Sequence, residues 1–345
     1  MTGKDMEPLD EVLRQYDMEV LSIRNESYKD KKGVWWIRTP AGYKILKKVS
    51  NSEETLRYIL HAVRHLTQNG IFIPHTNITR TGEEYANVGG SCYVLWDAVD
   101  GRNPSYDIPD QLAIVVRELA RFHKASAGFV PLPGSKAKIH LGTWPQDYAE
   151  QLEDMNRFHQ KILANSERSE IEKWIVQEFP LFYTRGMEAV HGLQGPEYKS
   201  WCEKAEKQGC LCHQDFAAGN LFLSPSGRLH IIDTDSITID IPARDLRKLL
   251  NKIMKKKNRW DPDLTRKVLS LYQSVNPLTQ EEWDVLRLDL KFPHLFIGAM
   301  NKYCYKREKD WTEATYFKRL KEVSAIEKTI QPILDAFGTI QPKSS

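Results

Sequence analysis

Cys212-His213-Gln214-Asp215-Phe216-Ala217-Ala218-Gly219-Asn220-Leu221-Phe222-Leu223, followed by Leu229-His230-Ile231-Ile232-Asp233-Thr234-Asp235, is the stretch that decides how this chain is read. Two short apolar runs flank Ser224-Pro225-Ser226-Gly227, a composition that predicts two strands joined by a turn. The pair delivers three oxygen-bearing side chains, Asp215, Asn220 and Asp233. Phosphoryl transfer needs such a set: a base or positioner for the attacking hydroxyl, and hard oxygen ligands for Mg²⁺. One isolated aspartate reads more readily as a solvated acid on a hairpin. The two-part spacing favours a site.

The spacing His213-x-Asp215-x-x-x-x-Asn220, then Ile231-Ile232-Asp233-Thr234-Asp235, resembles the hallmark of aminoglycoside-phosphotransferase-like and choline-kinase-like enzymes. Within that superfamily the chain is most similar to the spore-coat kinase-like proteins of endospore-forming bacteria (the CotS type), from about Leu9 to Leu334. It departs at Gln214, where Gly is usual, and at Ala217-Ala218, where His or Pro is common; neither change removes a functional oxygen. The resemblance implies an α+β, bilobal, protein-kinase-like fold. A small antiparallel sheet and a helix in residues 1–97 would cover the nucleotide, and a helical lobe in 98–345 would carry the catalytic loop and acceptor site. It also implies ATP and Mg²⁺. Asp215 would accept or orient the proton of a hydroxyl acceptor, and His213 would hold the loop. Asn220 and Asp233 would ligate Mg²⁺, and Asp235 would assist the metal or brace the site. Three readings remain open: a spore-coat-associated phosphotransferase acting on a coat protein or small molecule, a catalytically idle kinase-shaped coat component, and a small-molecule kinase for an amino sugar or choline-like amine.

Composition is compatible with each. The chain has 345 residues, 41% hydrophobic and 28% charged, enough for two domains or one two-lobed domain with a large core. A net charge of +3 does not by itself imply nucleic acid. No apolar run approaches a membrane span, and the polar N-terminus from Met1 to Asp10 has no signal-peptide core, which predicts cytoplasmic synthesis; the resemblance points to the spore coat. The five cysteines are odd in number and irregularly spaced, and Cys210-x-Cys212 has no second pair, so they read as mostly buried thiols.

Before the motif, the pattern predicts a helix over Leu9–Tyr16 and strands at Val20–Ile23, Val34–Arg38, Tyr43–Val49, from Gly70 to Pro74, and at Ser91–Trp96. The loop from Asn25 to Gly33 has a single glycine, so phosphate contact would fall to backbone N–H groups near Ser27 and Tyr28 and to a lysine. Strand alternation separates Lys47 from Lys44 and Lys48, and the family's Gly-x-x-x-Leu-Lys pattern points to Lys47 as the phosphate anchor. Just before a helix over Thr55–Gln68, Glu53, with Glu54 as rival, is the candidate acid to orient Lys47, with acids that only face the helix macrodipole as the alternative. Asp97 and Val99 fall where the family's hinge contacts adenine through backbone groups. Beyond it the chain reads as helical: Ile108–Phe122 with its apolar residues on one side, Trp144–Leu163 and Glu167–Val190 amphipathic, and Asp263–Leu334 rich in Trp and Tyr. His123 reads as a structural hydrogen-bonding residue, and Asp245 in Arg244-Asp245-Leu246 as a brace near His213. The basic stretch Arg247–Arg259 reads as a solvated face, with an acidic or phosphorylated partner as the alternative.

Overall fold

The structure is a computed structural model and describes residues 7–26 and 33–340. The chain divides into two compact units. The first runs to Ser105 and adds two later segments, Phe129–Lys138 and Ala218–Ile237. The second holds Tyr106–Gly128, Ile139–Ala217 and everything from Thr238 on.

The first unit is built on a five-stranded antiparallel sheet, β1 (Ser22–Asn25), β2 (Val34–Thr39), β3 (Gly42–Lys48), β4 (Ala86–Val88) and β5 (Ser91–Asp97), in the order β1-β2-β3-β5-β4. Alternation along the strands gives the sheet two different faces. Trp35, Ile37, Leu46, Tyr93 and Leu95 pack with Val12, Leu13 and Tyr16, in and just after the short helix α1 (Leu9–Leu13). Val34, Trp36, Ile45 and Lys47 take the other face. Helix α2 (Glu53–Gln68) starts at Ser52, whose hydroxyl accepts the Thr55 N–H, with Glu53 and Glu54 in the first turn. Its stripe buries Leu56 and Leu60 against Val49, Cys92 and Val94.

The strand expected from Gly70 to Pro74 is not formed. Proline cannot donate to a ladder, and the segment bonds singly instead: Ile71 N–H closes α2 on Leu66 C=O (3.0 Å), and Asp97 N–H donates to His75 C=O (2.9 Å). The strand that sequence misses is β4, which lies in a short stretch between glycines, with Gly82 before it and Gly89 and Gly90 after it. The predicted hairpin is present: Leu221–Leu223 pairs with Leu229–Ile231 around the Ser224–Gly227 turn. Gly101 lies against it, with Arg102 and Leu223 exchanging backbone hydrogen bonds of 3.1 and 2.8 Å. A Cβ at Gly101 would sit 2.8 Å from the Leu223 carbonyl oxygen, so this crossing requires glycine.

The second unit is mainly helical: α3 (Pro109–Ala125), α4 (Trp144–Ala164), α5 (Glu170–Leu193), α6 (Pro196–Gln208), α7 (Ala243–Lys257), α8 (Pro262–Gln273), α9 (Gln280–Lys291), α10 (His294–Cys304), α11 (Glu313–Lys328), α12 (Gln331–Asp335) and α13 (Phe337–Ile340). Capping boxes at Ser169/Glu172 and Thr279/Glu282 start α5 and α9. Leu112, Val115, Val116, Leu119 and Phe122 of α3 are buried, as their spacing predicts. Together the two units give the α+β class that was expected. Cys92, Cys202, Cys210 and Cys212 are buried free thiols. Among the described residues no helix is long and apolar enough to cross a membrane.

Candidate functional site

In the first unit, Lys47 reaches two carboxylates at once. Its Nζ lies 2.7 Å from Asp233 Oδ1 and 2.9 Å from Asp235 Oδ2. Burial opposes its charge, but the two acids outweigh that and hold the ammonium above its ordinary range. Asp233 has φ 58° and ψ 56°, a left-handed conformation that costs a non-glycine residue energy and that clusters at functional sites. The loop behind it is tied down by Lys138, whose ammonium donates to the Asp235 carbonyl oxygen (2.7 Å).

These charges line a cavity of about 400 Å³. Trp36, Ile45 and Trp96 lie side by side across β2, β3 and β5 and, with Val34, Ile73, Val99, Phe222 and Ile232, make its walls apolar. Trp36 is fixed by an edge contact to Tyr43 (centroids 5.8 Å apart). Asn220, Asp233 and Asp235 line the same cavity. A slot of this size with apolar, partly aromatic walls and a charge cluster on its lining suits a planar ring that carries a charged tail.

Two expected contacts are made differently. Glu53 does not pair with Lys47; its carboxylate accepts from Tyr85 Oη (2.7 Å) and Asn87 Nδ2 (2.9 Å), while the acids from the far side of the hairpin take the lysine. Glu54 does not reach Lys47 either: it stays in the first turn of α2, hydrogen-bonded to Ser52. Asp97 lines the cavity, but its N–H is already given to His75 and its carboxylate holds Lys44 and Asn77. Ser27 and Tyr28 lie outside the described residues.

In the second unit, the loop that carries Asp215 hangs from Asp245, which is fully buried on α7. Asp245 accepts the N–H groups of His213 (2.6 Å) and Gln214 (2.9 Å) and faces His123 Nε2 (3.3 Å). Burial alone would raise its pKa; the hydrogen bond and charge of His123 outweigh that and hold the carboxyl below its ordinary value. His123 also meets Tyr272 Oη at 2.7 Å, the structural role read for it. Buried His213 receives the Asp215 N–H on Nδ1 (3.3 Å). Gln214 has φ 69°, which accounts for the family's glycine there. Here Lys248 compensates, donating to both the backbone oxygen (2.7 Å) and Oε1 (2.8 Å) of Gln214.

Lys248 is an unusual base. Burial, reinforced by the nearby Arg247 guanidinium, pushes its pKa down to about 8. An unfolded lysine titrates near about 10.4, so between those values the unfolded chain holds the extra proton and stability rises with pH. Against a Lys248→Met variant, urea unfolding should show the wild type gaining on the order of 2 kcal/mol between about pH 7.5 and 10.5. A pH-independent difference would count against this burial cost.

Sequence reading picked out Lys47, Asp215, Asn220, Asp233, Asp235 and His213, but not Lys138, Lys248, Lys252 or the aromatic cavity walls. Lys252 was merged into a basic stretch, yet its ammonium is paired with Asp215 Oδ1. The stretch is not one solvated face: Arg247 bonds buried Asp289 (3.1 Å), and Lys257 pairs with Asp107 (2.5 Å).

The protein family described as "Spore coat putative kinase YutH" matches residues 13–337. The chain belongs to this spore-coat kinase-like family. It is 31% identical to spore coat protein S of Bacillus subtilis (strain 168) over 333 residues, 96% of this chain and 94% of that one. Its backbone is similar to a crystal structure of an aminoglycoside phosphotransferase from Alicyclobacillus acidocaldarius, with a TM-score of 0.81, 17% identity and coverage of 98% of this chain and 97% of that one. An amicoumacin kinase in complex with AMP-PNP, Ca²⁺ and Ami is similar at a TM-score of 0.58 and 15% identity, over 97% and 94% of the two chains. The fold of this spore-coat family member is therefore kinase-like.

Proposed function

We propose that this chain is a spore-coat-associated, Mg²⁺-dependent phosphotransferase that moves the γ-phosphate of ATP to a hydroxyl acceptor. The observation that carries the proposal is Lys47 held by Asp233 and Asp235 on the lining of the apolar cavity. One lysine between two carboxylates leaves an excess of negative charge, which suits a divalent cation, and Asn220 adds a neutral oxygen. The cavity walls suit a purine. The similar amicoumacin kinase was solved with a nucleotide analogue and a divalent ion.

In this reading Trp36, Ile45 and Trp96 cover the base, and Lys47 turns from the acids to the α- and β-phosphates. Asn220 and Asp233 would hold the Mg²⁺ ion, with Asp235 as support. The bound cation would supply charge neutralisation on the phosphates. Asp215 orients the acceptor hydroxyl and takes its proton as the acceptor oxygen bonds to the γ-phosphorus and ADP leaves; His213 and Asp245 keep the loop in place.

The test is a thermal shift. Mg-ATP at millimolar concentration should raise the melting temperature of the wild type, because it binds the folded state. Asp233→Asn should weaken that binding about 100-fold, the scale of losing one charged contact to a buried cation, and abolish the shift. A wild type that Mg-ATP does not stabilise would favour the idle coat component.

A further inference from the structure

The proposed chemistry leaves unused a concentration of positive charge beside Asp215. Lys248, Lys252 and Lys255 lie at helical spacing along one side of α7. Lys248 is spent on Gln214, and Lys252 is paired with Asp215. Lys255, one turn further on, is half-buried, and among the described residues its ammonium meets no acid within ion-pair distance. Burial and the neighbouring charges of Arg319, Lys252 and Lys302 hold its ammonium below the ordinary range. The acids of this patch are already committed: Glu308 to Lys302, and Glu322 to Arg319 (3.3 Å). A half-buried ammonium without an acid of its own, among cations that each already hold one, is unfavourable on its own and becomes favourable with an anion.

Building on the phosphotransferase reading above, we infer that the acceptor is itself anionic: a hydroxyl compound carrying a carboxylate or phosphate that Lys255 and Lys252 hold while its hydroxyl meets Asp215. The two lysines are three positions apart on the helix, about 4.5 Å along the axis, so the anionic group lies roughly one turn of α7 from the reacting hydroxyl. As Lys252 moves to the incoming anion, Asp215 is released to take the hydroxyl proton. A cationic acceptor, such as an aminoglycoside or choline, is repelled by the same patch, and the amino-sugar or choline-like reading loses ground.

Labelled ATP with two matched acceptor panels tests this. One panel is anionic: hydroxy acids, sugar phosphates and serine peptides flanked by aspartate. The other is cationic or neutral: aminoglycosides, choline, ethanolamine and serine peptides flanked by lysine. The expected result is transfer to the anionic panel, with Lys255→Glu raising KM at least about 10-fold and changing kcat less than about 3-fold, and Lys255→Gln falling between. Small acids and acidic peptides within that panel separate the two sources of the anion. Preferred transfer to the cationic panel, or a KM indifferent to Lys255, overturns the inference and leaves the phosphotransferase standing. If no acceptor turns over, titration with inorganic phosphate still decides. Stabilisation of the wild type and of Lys47→Ala, but not of Lys255→Glu, supports the anion site; equal stabilisation of Lys255→Glu, or none at all, overturns it. The Mg-ATP shift judges the nucleotide reading separately.

Discussion

Asp215→Asn is expected to lower the rate of phosphoryl transfer by about 10³-fold, the scale set by removing a positioned base, while leaving the fold intact. The two effects separate because of where Asp215 sits. Its side chain is 51% exposed and its ion partner Lys252 is 33% exposed, so the pair is screened and contributes at most about 1 kcal/mol. Asparagine keeps the shape and can still accept from Lys252. Single-turnover transfer measured beside urea unfolding checks both halves. Wild-type turnover by Asp215→Asn would remove the assignment of the base; a large loss of stability would mean that the pair with Lys252 is structural.

Asp245→Ala should show the reverse order, with stability lost first. Asp245 is fully buried and is the acceptor for two backbone N–H groups and a histidine. Truncation leaves those donors in the interior without an acceptor and releases a loop whose Gln214 is held in a left-handed conformation. The cost of breaking such a buried charged network is about 3–5 kcal/mol. Chemical denaturation measures it. Asp245→Asn, which keeps one acceptor oxygen, should lose less and retain partial transfer. A loss below about 1 kcal/mol for Asp245→Ala would show that water replaces the carboxylate and that the loop stands without it.

The sequence made the class of the fold legible because its strongest signals were local. Alternation marked β2, β3 and β5, and apolar stripes marked α2 and α3. The hairpin was legible from Ser224–Gly227 between two apolar runs. The Gly70–Pro74 segment was misread because Ile71, Phe72 and Ile73 look like a strand, yet their burial comes from packing and not from a ladder. At the candidate site, oxygen donors announced themselves by spacing, whereas the partner of Lys47 did not. Choosing between Glu53 and the acids at 233 and 235 depends on contacts 186 and 188 positions away in the chain, and no local pattern carries that. Lys252 and Lys255 were hidden for the opposite reason: among so many lysines, only three-dimensional neighbours distinguish a paired ammonium from a crowded one.

The sheet-bearing unit is assembled from three separated pieces of chain, the last ending at Ile237. During synthesis its N-terminal strands must therefore wait: Phe72 accepts its backbone bond from Ile231 (2.8 Å), and Lys47 meets Asp233, only after more than half of the polypeptide has left the ribosome. Contacts of such long separation close slowly. Expressing the first hundred residues alone should yield an aggregation-prone fragment, and a split protein would have to carry the 129–138 and 218–237 segments to complete that half.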